Sequence, residues 1–387
     1  MSYNDGAVGI KPEEKRMSGR RYKRLGKGSF FGGMVYERAV PDGHFLRRLE
    51  QVVDWEVFSE CLIGLYKGQA REGRPPYEPA VILKMLLLSY LYNLSERQTE
   101  AYVNDSLSAK CFLGLAVDES GPDHSTLTAF KRRIIEGGSE QELQALLEEV
   151  VQQALARGVT FGSIQIVDST HSAANVNVDK DERRQKRDGK LARDEDARWG
   201  VKHSRRYRDE AGQLVKQTDY FYGYKAHTGL NAEAEMITSV VITTGNANDG
   251  KQFGKLVDRD IQQELSIETY AGDRGYDDSE NHYLLETLGL HSALKLNTYR
   301  TQKKDGNKEV WLTLKETATY KAGQALRYKI ERKYGEAKQN HGLRRCRYLG
   351  RARYAIQVYL TVIAMNLKRM VKLLTGANFK GRAFVGA

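Results

Sequence analysis

The chain has 387 residues, a formal net charge of +11 and 29% charged residues, long enough for a large core and two or three domains. Its three cysteines, Cys61, Cys111 and Cys346, are odd in number and far apart, which excludes a disulfide framework and a zinc cluster and makes a reduced, cytoplasmic, nucleoid-associated setting the expectation. The excess of Lys and Arg suits a polyanion such as DNA, while the apolar runs at 80–92 and 355–367 are too short and too interrupted to span a membrane.

Residues 1–34 read as a basic flexible tail, with Lys15-Arg16, Arg20-Arg21 and Lys23-Arg24 and little apolar periodicity; nothing in 1–33 has the apolar core of a signal peptide. Residues 35–158 read as a helical N-terminal DNA-binding domain. Phe45, Leu46, Leu49, Val52 and Val53 recur at helical spacing. Pro79 suits the first turn of a helix to Tyr92. Ser95 and Gln98 form a capping box for 96–103, and Ser125 is the expected cap of 127–135. Residues 140–156 make an amphipathic helix. Such short helices fit a helix-turn-helix-like module and a plain bundle equally well.

The pattern changes at Gly162. Residues 159–375 predict an α/β domain, a mixed sheet with helices on both faces, and 376–387 a C-terminal tail. Ser163 to Asp168 is a short strand ending in an acid; 177–217, dense in charge, reads as an insertion or long loop. Strands follow at 222–228 and 236–243, a helix at 249–265, a strand at 268–273 ending in Asp273, a helix at 279–288 and a strand at 291–296. A polar connection at 297–320 leads to long helices at 322–341 and 354–374.

Asp168, Asp273 and Glu331 are the candidate catalytic and metal-binding residues. Two carboxylates at strand ends and one on a facing helix can hold two divalent ions for in-line attack at phosphorus. Within the 322–341 helix, Arg327, Glu331 and Lys338 share one face, a carboxylate flanked by two cations that could grip phosphate. Arg344, Arg345 and Arg347, with Arg351 and Arg353 and the interleaved Tyr348 and Tyr354, form a basic patch just beyond. Lys225 and His227 could face DNA, with plain surface exposure the preferred reading; Asp249 is expected as the cap of its helix; Trp199 could stack on a flipped base, with core packing preferred. Taken singly, each acid has a plainer reading: a turn or cap for the two aspartates, an ion pair with Arg327 for Glu331.

Several blocks resemble, in order, bacterial insertion-sequence DDE transposases. They are Ile166 to Thr170, Tyr222 to Lys225, Thr244 to Asp249 and Ala271 to Asp277, preceded by Gly73 to Tyr77, Leu91 to Ser95 and Pro122 to Leu127. The subgroup most resembled is the insertion-sequence-five family of the insertion-sequence-four-like group, over roughly residues 40–375. The resemblance implies an RNase H-like fold, with Asp168 and Asp273 as the first two catalytic acids. The family signature of Tyr, Arg, Glu and Lys on the last catalytic helix falls on Gln324, a departure, and on Arg327, Glu331 and Lys338; Glu336 is the rival for third acid. It implies Mg²⁺, with Mn²⁺ as a substitute, and cleavage and strand transfer at terminal inverted repeats by a homo-oligomer that also binds target DNA. The alternatives are a metal-dependent nuclease without strand transfer and a domesticated DNA-binding regulator.

Overall fold

The structure is a computed structural model that describes residues 22–23, 25–26, 30–65, 75–137, 140–208, 210, 212–297 and 313–379. Most of the basic tail, and part of the loop at Gly73 to Tyr77, lie outside the described residues. The tail assignment is too long at its end, because helix α1 already begins within it, at Phe30–Ala39, and Lys23 pairs with Glu119 and donates to the Tyr77 hydroxyl at 2.8 Å.

Helices α2 (Phe45–Val52), α3 (Trp55–Leu62), α4 (Pro79–Leu91), α5 (Glu96–Asp105), α6 (Leu107–Leu113), α7 (His124–Gly137) and α8 (Glu140–Ala156) build the N-terminal layer. Every residue of α4 is buried, as expected of a helix apolar on all sides, and α3, α5, α6 and α7 pack against it. The Ser95–Gln98 capping box forms, with both hydrogen bonds present. Ser125 is not the cap of α7: Asp123 accepts from the Ser125 amide at 2.7 Å, since the helix starts a residue earlier, at His124.

The second half is an RNase H-like mixed sheet. Strand β1 (Ile164–Ala173) pairs antiparallel with β3 (Leu214–Asn231) and parallel with β5 (Thr269–Gly272), which pairs parallel with β6 (His291–Leu294). Strand β4 (Ile237–Thr244) lies on the other edge of β3. The stretch 177–217 is not a long loop. It contains α9 (Val178–Asp188) and β2 (Arg198–Arg208), and the outer half of β3 pairs with β2 as an antiparallel ribbon. Charge density masked that strand, because its side chains need not be apolar where both faces meet water.

One face of the sheet carries α10 (Phe253–Gln262) and α11 (Ser279–Thr287); the other carries α12 (Ala318–Leu326), α13 (Tyr328–Asn340) and α14 (Arg351–Thr375). The expected single helix over 322–341 is two, joined at Arg327. The middle of α14 is buried almost throughout, because it packs on α2, α4 and α8 on one side and on β3 and β4 on the other. One hydrophobic core therefore runs through both halves.

Candidate active site

Two short apolar strands set the site. In the parallel β1–β5 pair Ile166 is the partner of Ala271, so two residues further on Asp168 and Asp273 reach the same level on neighbouring strands, which lie about 4.8 Å apart. Asp168 is not at a strand end: β1 runs on to Ala173, and Asp168 pairs with Thr228 of β3. Asp273 does follow its strand directly, and its carboxylate accepts from the Gly275 amide at 2.8 Å, capping the tight turn Arg274–Tyr276. Asp168 accepts from the Ser169 amide at 2.8 Å. Burial and the Asp273 charge push the Asp168 carboxyl up to about 7; Arg327 acts the other way, and Asp249 adds to the rise. Two carboxylates held this close store repulsion that a bound cation would relieve.

The floor beneath them is aromatic. The Tyr334 hydroxyl donates to the Asp168 carbonyl at 2.7 Å and shares a 2.8 Å contact with the Thr228 hydroxyl. Tyr276 is fully buried beside the acids, which with burial hold its phenol well above the ordinary value. Tyr334 orients α13. By helical spacing Glu331 and Lys338, three residues before Tyr334 and four after it, fall on its side of α13, and Arg327 sits at the joint that precedes the helix. Glu331 is exposed in the first turn of that helix. The buried Arg327 Nε has no hydrogen-bond partner among the described residues, and the Arg327 charge acts on Asp168.

Glu336 points elsewhere. It binds Lys368 at 2.6 Å, with Lys333 at 3.6 Å and His341 at 3.7 Å. Burial works to raise its pKa, but these partners outweigh it and hold the carboxylate well below its usual range. Gln324, at the signature's Tyr position, donates to the Gly272 and Ala293 carbonyls at 3.0 and 2.5 Å. It thereby ties α12 to the ends of β5 and β6, one residue before Asp273.

Asp168, Asp273 and Glu331 do not close onto a single point. Among the described residues only Glu100, Asp123 and His124 bring three ligand atoms within 4.8 Å of one another; there Glu100 accepts from the His124 amide and Asp123 from the Ser125 amide, both at the start of α7. A two-ion site does not need such closure. Ions about 3.5–4 Å apart, each about 2 Å from its ligands, spread the outer carboxylates over about 8 Å.

The cations divide in two. Lys338 is half-buried; burial first, then Lys202 and Arg344, lower its pKa, and Asp168 raises it. Lys338, Lys202 and Arg344 are therefore three like charges gathered on the Asp168 side. Arg345 and Arg347 are spent within the protein. Arg345 donates to Asn175 and to the Val176 carbonyl; Arg347 donates to the Leu94 carbonyl and Asn93, and lies over the Tyr90 ring at 4.6 Å. Tyr354 is buried, stacked on Tyr224 at 5.0 Å, and Tyr348 bonds Lys131 and Glu96, so neither ring is interleaved with the arginines at the surface.

Expectations for four further residues are corrected. His227 is fully buried, its Nε2 2.8 Å from the Thr243 hydroxyl. Asp249 makes no helix-capping hydrogen bond; its carboxylate binds Lys225 Nζ at 2.8 Å and the Ser169 hydroxyl at 3.0 Å, and Lys225, far from being at the surface, also donates to the Ala247 carbonyl. Trp199 is not in the core but 49% exposed.

A transposase domain (DUF772) model matches residues 34–133, and a transposase DDE domain model matches residues 160–367. The chain belongs to the DDE transposases. It is thus a phosphoryl-transfer enzyme of transposition, and its family implies a divalent metal. A chain of the crystal structure of the Mos1 strand transfer complex is similar at 12% identity over 78% of this chain and 98% of that one, with a TM-score of 0.17, too slight a likeness to carry an argument. In this transposase the donor chemistry suits such a metal: carboxylate oxygens are hard ligands, and the raised Asp168 carboxyl beside Asp273 is what a cation would relieve. Among the described residues no helix is long and apolar enough to cross a membrane.

Sequence reasoning missed the roles of Asp249, Tyr334 and Tyr276. Asp249 follows the turn-rich Thr244-Gly245-Asn246-Ala247-Asn248, where an acid reads as a cap, and only the fold brings that turn beside Ser169. For the two tyrosines no local signal separates a ring under the acids from an ordinary core ring.

Proposed function

We propose that the chain is the transposase of a bacterial insertion sequence of the insertion-sequence-five family, in the insertion-sequence-four-like group. On this reading it cleaves at the element's terminal inverted repeats and joins the freed 3′-hydroxyls to target DNA, working as a homo-oligomer. The observation that carries the reading is the β1–β5 register, which sets Asp168 and Asp273 level on adjacent strands; Glu331 joins them in this reading by its helical spacing from Tyr334, whose hydroxyl donates to the Asp168 carbonyl. Asp168, Asp273 and Glu331 are the proposed ligands of two divalent ions, Mg²⁺ with Mn²⁺ as a substitute. When bound, such ions supply activation of the attacking oxygen and stabilisation of the leaving one.

The chain's own groups do the positioning. Tyr334 and the Ser169 amide fix Asp168 from behind. Arg327, Lys338 and Arg344 offer charge for the phosphates on either side of the scissile bond. Arg345 and Arg347 instead hold the segment after α13 against β1 and the helical layer, which aims Arg344.

The test is cleavage and joining of a duplex carrying the ends that flank this gene. Asp168→Ala, Asp273→Ala and Glu331→Ala should each lose cleavage and keep end binding. Full cleavage by the Asp273→Ala protein would overturn the assignment.

A further inference from the structure

The sheet face that bears Asp168 does not stop where the helices do. In the β1–β3 register Asp168, Thr170 and Ser172 pair with Thr228, Ala226 and Tyr224, and those positions lie under Tyr334 of α13 and Tyr354 of α14. Further out along the same face of β3 come Tyr222 and Tyr220, opposite Trp199 and Val201 of β2. Tyr222 is half-buried, its hydroxyl donating to the Asp194 carbonyl at 2.8 Å, while the side chains around it are open. Trp199 is 49% exposed, Val201 53% and Tyr220 62%, and the Trp199 ring lies against Tyr222 at 5.6 Å. A soluble surface scatters single apolar side chains; a contiguous group of this kind marks a contact.

The ribbon's charge says which contact. Strand β2 carries Arg198, Lys202, Arg205, Arg206 and Arg208 and no acid. Arg206 faces Lys216 across the ribbon, on the same face as the rings. A protein partner would be met by an apolar centre with a mixed rim; rings set among cations fit a nucleic-acid strand instead. The cations also lead back to the acids, because Lys202 acts on both His171 of β1 and Lys338 of α13. Tyr222 is six residues along β3 from Thr228, the partner of Asp168, or roughly 20 Å. Flat rings gain little from a paired duplex, whose base faces are already stacked, and most from bases that have lost their partners.

We propose that the β2–β3 ribbon is a stacking platform for unpaired DNA bases leaving the Asp168 cleft, with Trp199 and Tyr220 meeting base faces and Lys202, Arg206 and Lys216 the phosphates. This rests on the DNA-processing reading of the cleft.

The experiment uses the full chain, a 12-residue oligo-dT single strand and a random duplex of equal length, with binding followed by fluorescence anisotropy. Trp199→Ala should weaken oligo-dT binding about tenfold, as removing one stacked base does, and leave duplex binding within about twofold. Trp199→Phe should keep most of the oligo-dT affinity. Oligo-dT should quench the emission of the wild-type chain, and that quenching should vanish in Trp199→Phe. Equal losses for the two DNAs, no loss for either, or a changed oligomeric state in Trp199→Ala would overturn the platform, the last by making the ribbon a contact between copies. Asp168→Ala separates the two claims: it should bind oligo-dT as the wild type does. A chain that binds oligo-dT through Trp199 but never cuts DNA refutes the transposition reading alone.

Discussion

Asp168→Asn exchanges a charged carboxylate for a neutral amide of the same shape. The amide oxygen can still accept from the Ser169 amide, now 2.8 Å from the carboxylate, so the local hydrogen bond survives while the repulsion from Asp273 and Asp249 disappears. The rise of the Asp168 carboxyl from its ordinary 3.8 to about 7 would correspond to about 4 kcal/mol if the group were sealed from water. It is only half-buried, so roughly 2 kcal/mol is the working figure after screening. The sign follows from a folded-state pKa above the unfolded one. Below about pH 4 both states are protonated and nothing is lost; as pH rises through about 7 the folded state must give up a proton it would keep, and stability falls. In metal-free buffer at pH 8, calorimetry should therefore find Asp168→Asn melting a few degrees above the wild type, with the difference gone at pH 4. Mg²⁺ should raise the wild-type melting temperature at pH 8 and move the variant's much less. A variant that melts at or below the wild type at pH 8 would refute the reasoning, as would an equal response to Mg²⁺ in both proteins.

The two candidate third acids separate in a paired measurement. Glu331→Gln should abolish cleavage with a stability change within about 0.5 kcal/mol, whereas Glu336→Gln, which leaves Lys368 and Lys333 without their carboxylate, should cost about 1–3 kcal/mol in denaturant melts and still cleave; the reverse pattern would move the site to Glu336. Asp249→Ala strands Lys225, only 15% exposed at the side chain, and should cost about 2 kcal/mol. Adding Lys225→Met should recover part of that loss, and an additive double mutant would show that the pair is not coupled. A side chain at Gly323 would have its Cβ 2.7 Å from the Ala293 Cβ and 3.2 Å from the Ala271 Cβ, so Gly323→Val should force α12 off β5 and β6, lowering both the melting temperature and cleavage. Wild-type behaviour of that variant would mean that α12 does not set the Asp273 strand.

Periodicity makes the helical layer and the inner strands legible in the order of residues alone. The apolar α4 and the β-branched β4 each have a pattern that only one element satisfies. The spacing of Arg327, Glu331 and Lys338 is legible too, but the break at Arg327 that divides their helix in two is not. What cannot be read are contacts between distant segments. Asp249 comes to Ser169 from 80 residues away, and Arg347 reaches Asn93 across 254; neither side chain differs locally from a surface one. Strand β2 escapes for the opposite reason. A two-stranded ribbon with both faces in water has no buried side to write an alternation into the sequence, and its cations read as loop.

Anomalous scattering from crystals of the full chain soaked in Mn²⁺ tests the central claim most directly. Two peaks about 3.5–4 Å apart, bounded by Asp168, Asp273 and Glu331, are the predicted result. Peaks only at Glu100, Asp123 and His124, or a Glu331 carboxylate turned away from an ion held by the two aspartates, would contradict it.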